Sequence, residues 1–148
     1  MTKAQFLAFS LPFGLKCTGA TEIHKYNLLS VHIGSIDLCR VKPIEGGIDF
    51  LLPVNDIKPI LRPLSDLTKE IDHNGEKFVP IDKILEEACF DLSKMNRDET
   101  NSYSNPILIP ELISLTDALM LIEWHFDLAG LIERDEAINI NNLVRFDY

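Results

Sequence analysis

The chain reads as an α+β protein: a small antiparallel sheet or partly open barrel in the N-terminal part, packed with a C-terminal helical region that holds one central buried helix and an extra β-hairpin. Three observations predict this class. Apolar runs at 13–18, 24–33, 36–42 and 48–54 are separated by Thr18-Gly19-Ala20, Gly34-Ser35 and Glu45-Gly46-Gly47. Asn74-Gly75 is the preferred pair of a two-residue hairpin loop. Further along, apolar residues recur at helical spacing. The chain has 148 residues, 46% hydrophobic and 25% charged, which fits one domain, mainly β over 1–62 and hairpin plus helices over 63–148. That composition excludes a disordered chain, a collagen and a disulfide-stapled miniprotein.

The N-terminal stretch Ala4 to Leu15 is largely apolar after Lys3, but Gln5, Ser10 and Pro12 interrupt it and Lys16 sits at the cleavage region, so it is not read as a secretory signal. In the run 24–33, Tyr26, Leu28 and Ser30 alternate with Leu29, Val31 and Ile33, giving one mixed and one apolar face. Pro53, Pro59 and Pro63 predict an extended connector from Pro53 to Leu64, with a helical turn near Ser65 or Asp66. Around Asn74-Gly75 the expected pairs are His73 with Glu76, Asp72 with Lys77 and Ile71 with Phe78, placing charge on one face and core on the other.

Pro80 opens a helix of about ten residues with Ile81, Ile84, Leu85, Ala88 and Leu92 on one face. A polar loop follows near 91–105. Ser114 and Asp117 suggest a capping box, and Gly130 a left-handed C-terminal cap. Between them Leu115, Ala118, Leu119, Leu121, Ile122, Trp124, Phe126, Leu128 and Ala129 cover an arc of roughly 220°, so this helix is expected to be the spine of the core.

Charge is unevenly distributed. Residues 1–62 carry seven basic and five acidic groups, a net of +2, and the remainder carries seven and eighteen, a net of −11, which together give the chain its −9. Such acidity argues against wrapping double-stranded DNA, which rests on Lys and Arg releasing condensed counterions. No apolar run approaches the roughly 18 residues of a membrane span. Cys17, Cys39 and Cys89 show no CxxC spacing, consistent with a reducing cytoplasm.

No catalytic signature emerges. Gly14 to Thr21 imitates P-loop spacing, but Ala20 stands where the phosphate-binding lysine belongs. His24, His32, His73 and His125 lack metal-binding spacing, so no metal and no cofactor is expected. On the wheel His125 lies about 200° from Glu123 and Asp127, which places it in the apolar arc as a buried neutral histidine bonded to a carbonyl or carboxylate. The alternative is that His125 lines a pocket with Trp124. Arg62 and Lys58, with Arg40 and the aromatic Tyr26 or Phe50, are the candidates for a basic patch on the sheet.

The stretches Asp56 to Ile71 with Asn74 to Pro80, and Glu123 to Asp127 with Gly130-Leu131-Ile132-Glu133, resemble a group of small uncharacterised proteins carried by phages, prophages and related mobile elements of gut Bacteroidales. In those relatives the following turn is often Asn-Gly, whereas this chain has Arg134-Asp135, which does not favour the same tight hairpin. The resemblance implies an intracellular, mobile-element origin and brings no activity with it. The leading expectation is a non-enzymatic accessory protein that binds a host or phage protein. The alternatives are a small enzyme with a pocket around His125 and a weak single-stranded nucleic-acid binder using the N-terminal sheet.

Overall fold

The computed structural model describes residues 1–19, 24–87 and 115–143. The α+β class holds. Six strands, β1 (Lys16–Gly19), β2 (Lys25–His32), β3 (Leu38–Pro43), β4 (Phe50–Pro53), β5 (Ile57–Leu61) and β8 (Ile138–Asn139), form one sheet in the order β4-β3-β2-β1-β5-β8. All pairings are antiparallel except the parallel β5–β8 pair, so the sheet is mixed and takes its last strand from the C-terminal part. The connector expected between Pro53 and Leu64 is therefore an internal strand. Pro59 is accommodated opposite Cys17, and pairing to β8 begins only at Ile60.

Chain reach explains the shape of the sheet. Only the single 3-10 turn Val54–Asp56 joins β4 to β5, yet β3, β2 and β1 lie between them in the sheet. Four strand spacings on a flat sheet are about 19 Å, and the four peptide units from Pro53 to Ile57 span at most about 15 Å. The sheet must curl to bring its two sides together, and it remains unclosed.

The stretch read only as an interrupted apolar run is helix α1 (Lys3–Ser10). Its capping box is a Thr-x-x-Gln signal: Gln5 N–H donates to Thr2 Oγ1 at 3.2 Å and Thr2 N–H to Gln5 Oε1 at 2.9 Å. Phe6 and Leu7 are fully buried in the core that Cys17, Cys39, Val41, Ile57 and Leu61 share. Lys3 is buried with them and donates its ammonium to the Ile57 carbonyl, and burial holds its pKa below the ordinary lysine value. α1 thereby fills the concave side of the sheet.

The hairpin β6 (Ile71–His73) and β7 (Glu76–Phe78) has the predicted register, with Asn74 and Gly75 both at positive φ (53° and 83°), the geometry of a type I′ turn. Helix α2 (Pro80–Glu87) buries Ile81 and Ile84. Ala88, Cys89, Leu92, the 91–105 loop and the expected cap at Ser114 fall outside the described residues.

Helix α3 (Leu115–Glu123) corrects the expected spine. It stops seven residues before Gly130, and only Leu121 and Ile122 within it are buried, while Leu115 is 74% exposed. The stop is a paired closure. His125 N–H donates to the Ile122 carbonyl at 3.0 Å and Phe126 N–H to the Leu121 carbonyl at 2.9 Å, with His125 left-handed at φ 63°. This is the Schellman arrangement, in which a histidine occupies the position glycine usually takes, and buried Phe126 over buried Leu121 supplies its apolar contact. The segment then runs beside β5 as a one-residue parallel bridge, Arg62 to Phe126. A second closure of the same kind follows: Asp135 N–H to Ile132 at 3.1 Å and Glu136 N–H to Leu131 at 2.9 Å, with Asp135 at φ 58°. Arg134-Asp135 thus makes a turn between non-strand segments.

Candidate functional site

Three of the four residues singled out from the sequence meet where β5, the hairpin and the end of α3 converge. Arg62 follows β5 directly. Its backbone N–H donates to the His125 carbonyl at 2.7 Å, and its own carbonyl accepts Asp127 N–H at 2.9 Å. Its guanidinium reaches two more carbonyls, Trp124 at 3.1 Å from Nε and Asp72 at 2.8 Å from Nη2. The Trp124 carbonyl belongs to the orphan acceptors at the end of α3, where a cation also complements the helix dipole. Arg62 therefore ties three elements together.

His125 lies under this staple. Its Nε2 is 2.8 Å from the Phe13 carbonyl, which can only accept, so Nε2 carries the proton of the neutral ring. Burial pushes the pKa down to about 4; the Phe13 bond opposes that shift, and His73, Arg62 and Lys16 reinforce it. The ring stands edge-on to His73, centroids 5.1 Å apart. Burial also lowers the pKa of His73, with Arg62 adding to the effect and Glu123, Asp72 and Glu76 opposing it.

Trp124 is buried against Phe78, ring centroids 4.9 Å apart, and the Lys83 ammonium sits 4.5 Å from the Phe78 centroid while pairing with Glu76 at 2.8 Å. A cavity of about 430 Å³ opens on this side, between the hairpin and α3, lined by His73, Glu76, Phe78, Lys83, Glu123 and Trp124 among others. His125 does not line it.

Lys58 is elsewhere. It lies four residues back along β5, roughly 13 Å from Arg62 at strand rise, and pairs with Asp135 at 3.1 Å. Arg40 is separated from it by β2 and β1 and pairs with Asp49 at 3.3 Å. Tyr26 is buried with its edge to Phe50, so it offers no open ring for stacking.

Sequence reasoning missed His73, Phe13 and Asp127. Asp127 is buried, and its carboxylate accepts the N–H groups of Leu131 at 2.8 Å and Ile132 at 2.9 Å. A local signal existed for it, since an aspartate four residues ahead of an apolar pair is in reach of their amides. His73 and Phe13 meet His125 only through tertiary packing.

Chemically the cluster holds backbone rather than a reacting atom. Arg62 and His125 direct their donors at main-chain carbonyls, and a histidine with pKa about 4 is a poor general base near neutrality. Burial raises both described thiols, Cys39 to about 11 and Cys17 higher, so neither is an activated nucleophile. Among the described residues no three His, Cys, Asp or Glu side chains gather to hold a metal ion. No helix there is long and apolar enough to cross a membrane. Comparison with known protein families, with curated proteins and with solved structures found no match.

Proposed function

We propose that this protein is a non-enzymatic accessory protein of a mobile element that works in the cytoplasm by binding a protein of host or phage origin. The observation that supports this reading is an open apolar groove of about 820 Å³ between α1 and α3. Phe9, 53% exposed, and Leu115, Ala118, Leu119, Ile122 and Leu128 supply its walls. Contiguous apolar surface of this kind marks recognition sites in soluble proteins. The polar cluster at Arg62 and His125 is turned inward and serves the groove by fixing the end of α3.

The test is affinity capture from a bacterial lysate with mass spectrometry, run in parallel with Leu119→Lys. Leu119 is 40% exposed, so the substitution leaves folding intact while placing a charge in the groove. The expected result is a protein enriched by the natural chain and lost with Leu119→Lys. No enrichment, or equal enrichment by both, contradicts the reading.

A further inference from the structure

The unclosed sheet ends on one side at β4, and among the described residues no strand lies against the outer edge of β4. Main-chain alternation shows what that edge offers. Val54 N–H donates to the Asp37 carbonyl at 3.0 Å, and the Leu52 carbonyl accepts the Cys39 thiol at 3.4 Å, so Val54 and Leu52 both face β3. Along a strand, residues bonded to one neighbour alternate with residues that face the opposite side. Leu51 therefore directs its N–H and C=O away from β3, Asp49 continues that alternation just ahead of the strand, and Pro53 directs its carbonyl the same way. A proline is tolerated there because an outward nitrogen has no ladder bond to lose.

Folded proteins blunt such edges with charge, bulges, prolines or a covering segment. Here Pro53 does so only at the far end of the strand. Phe50, Leu51 and Leu52 carry no charge, and their register to β3 runs without a shift. The edge is also uncovered: Phe50 is 37% exposed, Leu51 46%, and Ile48 just ahead of them 85%.

We infer that β4 pairs with β4 of a second copy of this chain, antiparallel about a two-fold axis at Leu51. The two Leu51 residues then exchange N–H···O=C bonds, and each Asp49 N–H donates to the Pro53 carbonyl of the other copy. The antiparallel sense brings the Ile48 end of each β4 to the opposite end of the other, beside the β2–β3 connection where Ile36 is 70% exposed. Symmetry makes that apolar match twice, which is why the occupant is a copy and not a foreign strand. Charge does not oppose the approach. Arg40 and Asp49 pair with each other at 3.3 Å, so the edge is locally neutral although each copy carries −9. A four-residue edge is small beside the roughly 800 Å² per partner of a standard interface, so the dimer is reversible. This surface is separate from the groove, and the inference goes beyond the reading above.

The experiment is sedimentation velocity of the full chain from low to high micromolar concentration, with amide hydrogen exchange read at both ends of the range. The expected result is a shift from one chain to two, with exchange of the Leu51 amide slowed at least tenfold in the dimer. Leu51→Lys is expected to weaken association at least tenfold, and Leu119→Lys, in the groove, to leave it unchanged. If Leu51→Lys does not fold, Leu51→Thr, which keeps the strand preference, is expected to weaken association about threefold. Three outcomes overturn the inference: a single chain at every concentration, growth past two copies as head-to-tail pairing of β4 with β8 would give, or association kept by the Leu51 variants. The groove reading is judged separately, by lysate capture with Leu119→Lys.

Discussion

The sheet strands and the junction at Arg62 both carry polar groups, and the main chain depends on them to opposite degrees. On the sheet, Lys16, Lys25, Lys42 and Lys58 occupy strand positions whose backbone needs are met by ladder pairing, so the main chain there does not depend on their side chains. At the junction the chain runs through short turns that leave amides and carbonyls without ladder partners, and side chains meet them instead. Asp127 takes two amides, Asp72 takes Gly75 N–H at 3.1 Å, Arg62 takes two carbonyls and His125 one. The difference teaches that charge in a turn-rich segment is first an element of folding, whereas a regular strand satisfies its own main chain without it. Part of the −11 of the C-terminal region is therefore structural.

Acid should break the junction before the sheet. The folded-state pKa of His125 is depressed to about 4 from an ordinary 6.5. The unfolded chain takes the proton first, so the contribution of this group is fully present above about pH 6.5 and is lost as pH falls towards 4. The linkage is on the order of 3 kcal/mol at its limit. Urea unfolding between pH 7.5 and 4.5 is expected to show that decline, reduced in His125→Asn, which has no titrating ring.

Asp127→Ala sharpens the same contrast at neutral pH. It strands two amides that now have charged acceptors, and should cost about 3 kcal/mol. Thermal unfolding measures it; a loss below about 1 kcal/mol would mean that the turn is held by other contacts. A smaller effect isolates backbone strain. His125→Gly and His125→Ala both lose the Phe13 bond, but only alanine keeps the left-handed penalty, so the glycine variant should be the more stable of the two by about 1 kcal/mol.

Where local rules decide structure, the sequence was readable. Asn74-Gly75 determined the hairpin register pair by pair, and the apolar runs located β1 to β4. The Thr2-x-x-Gln5 signal of α1 was present as well, but the apolar stretch it opens has no clear helical face and is interrupted by Pro12. β5 was obscured by Pro59, because a proline argues for a connector unless the fold supplies a position that tolerates it. The premature end of α3 had no local mark at all: the apolar pattern continues to Ala129, and the closing residue is a histidine where glycine is the usual sign. Arg62, Trp124 and His125 were identifiable by residue type, but their union depends on β5 passing the end of α3, a long-range contact that no spacing encodes.

The most direct measurement is a two-dimensional NMR titration of the four histidine rings, reading protonation and tautomer. His125 is expected to remain in the Nε2–H form through neutral pH and to titrate near 4. Titration of His125 near 6.5, or a proton on Nδ1 at pH 7, would contradict a ring held by the Phe13 carbonyl inside the junction.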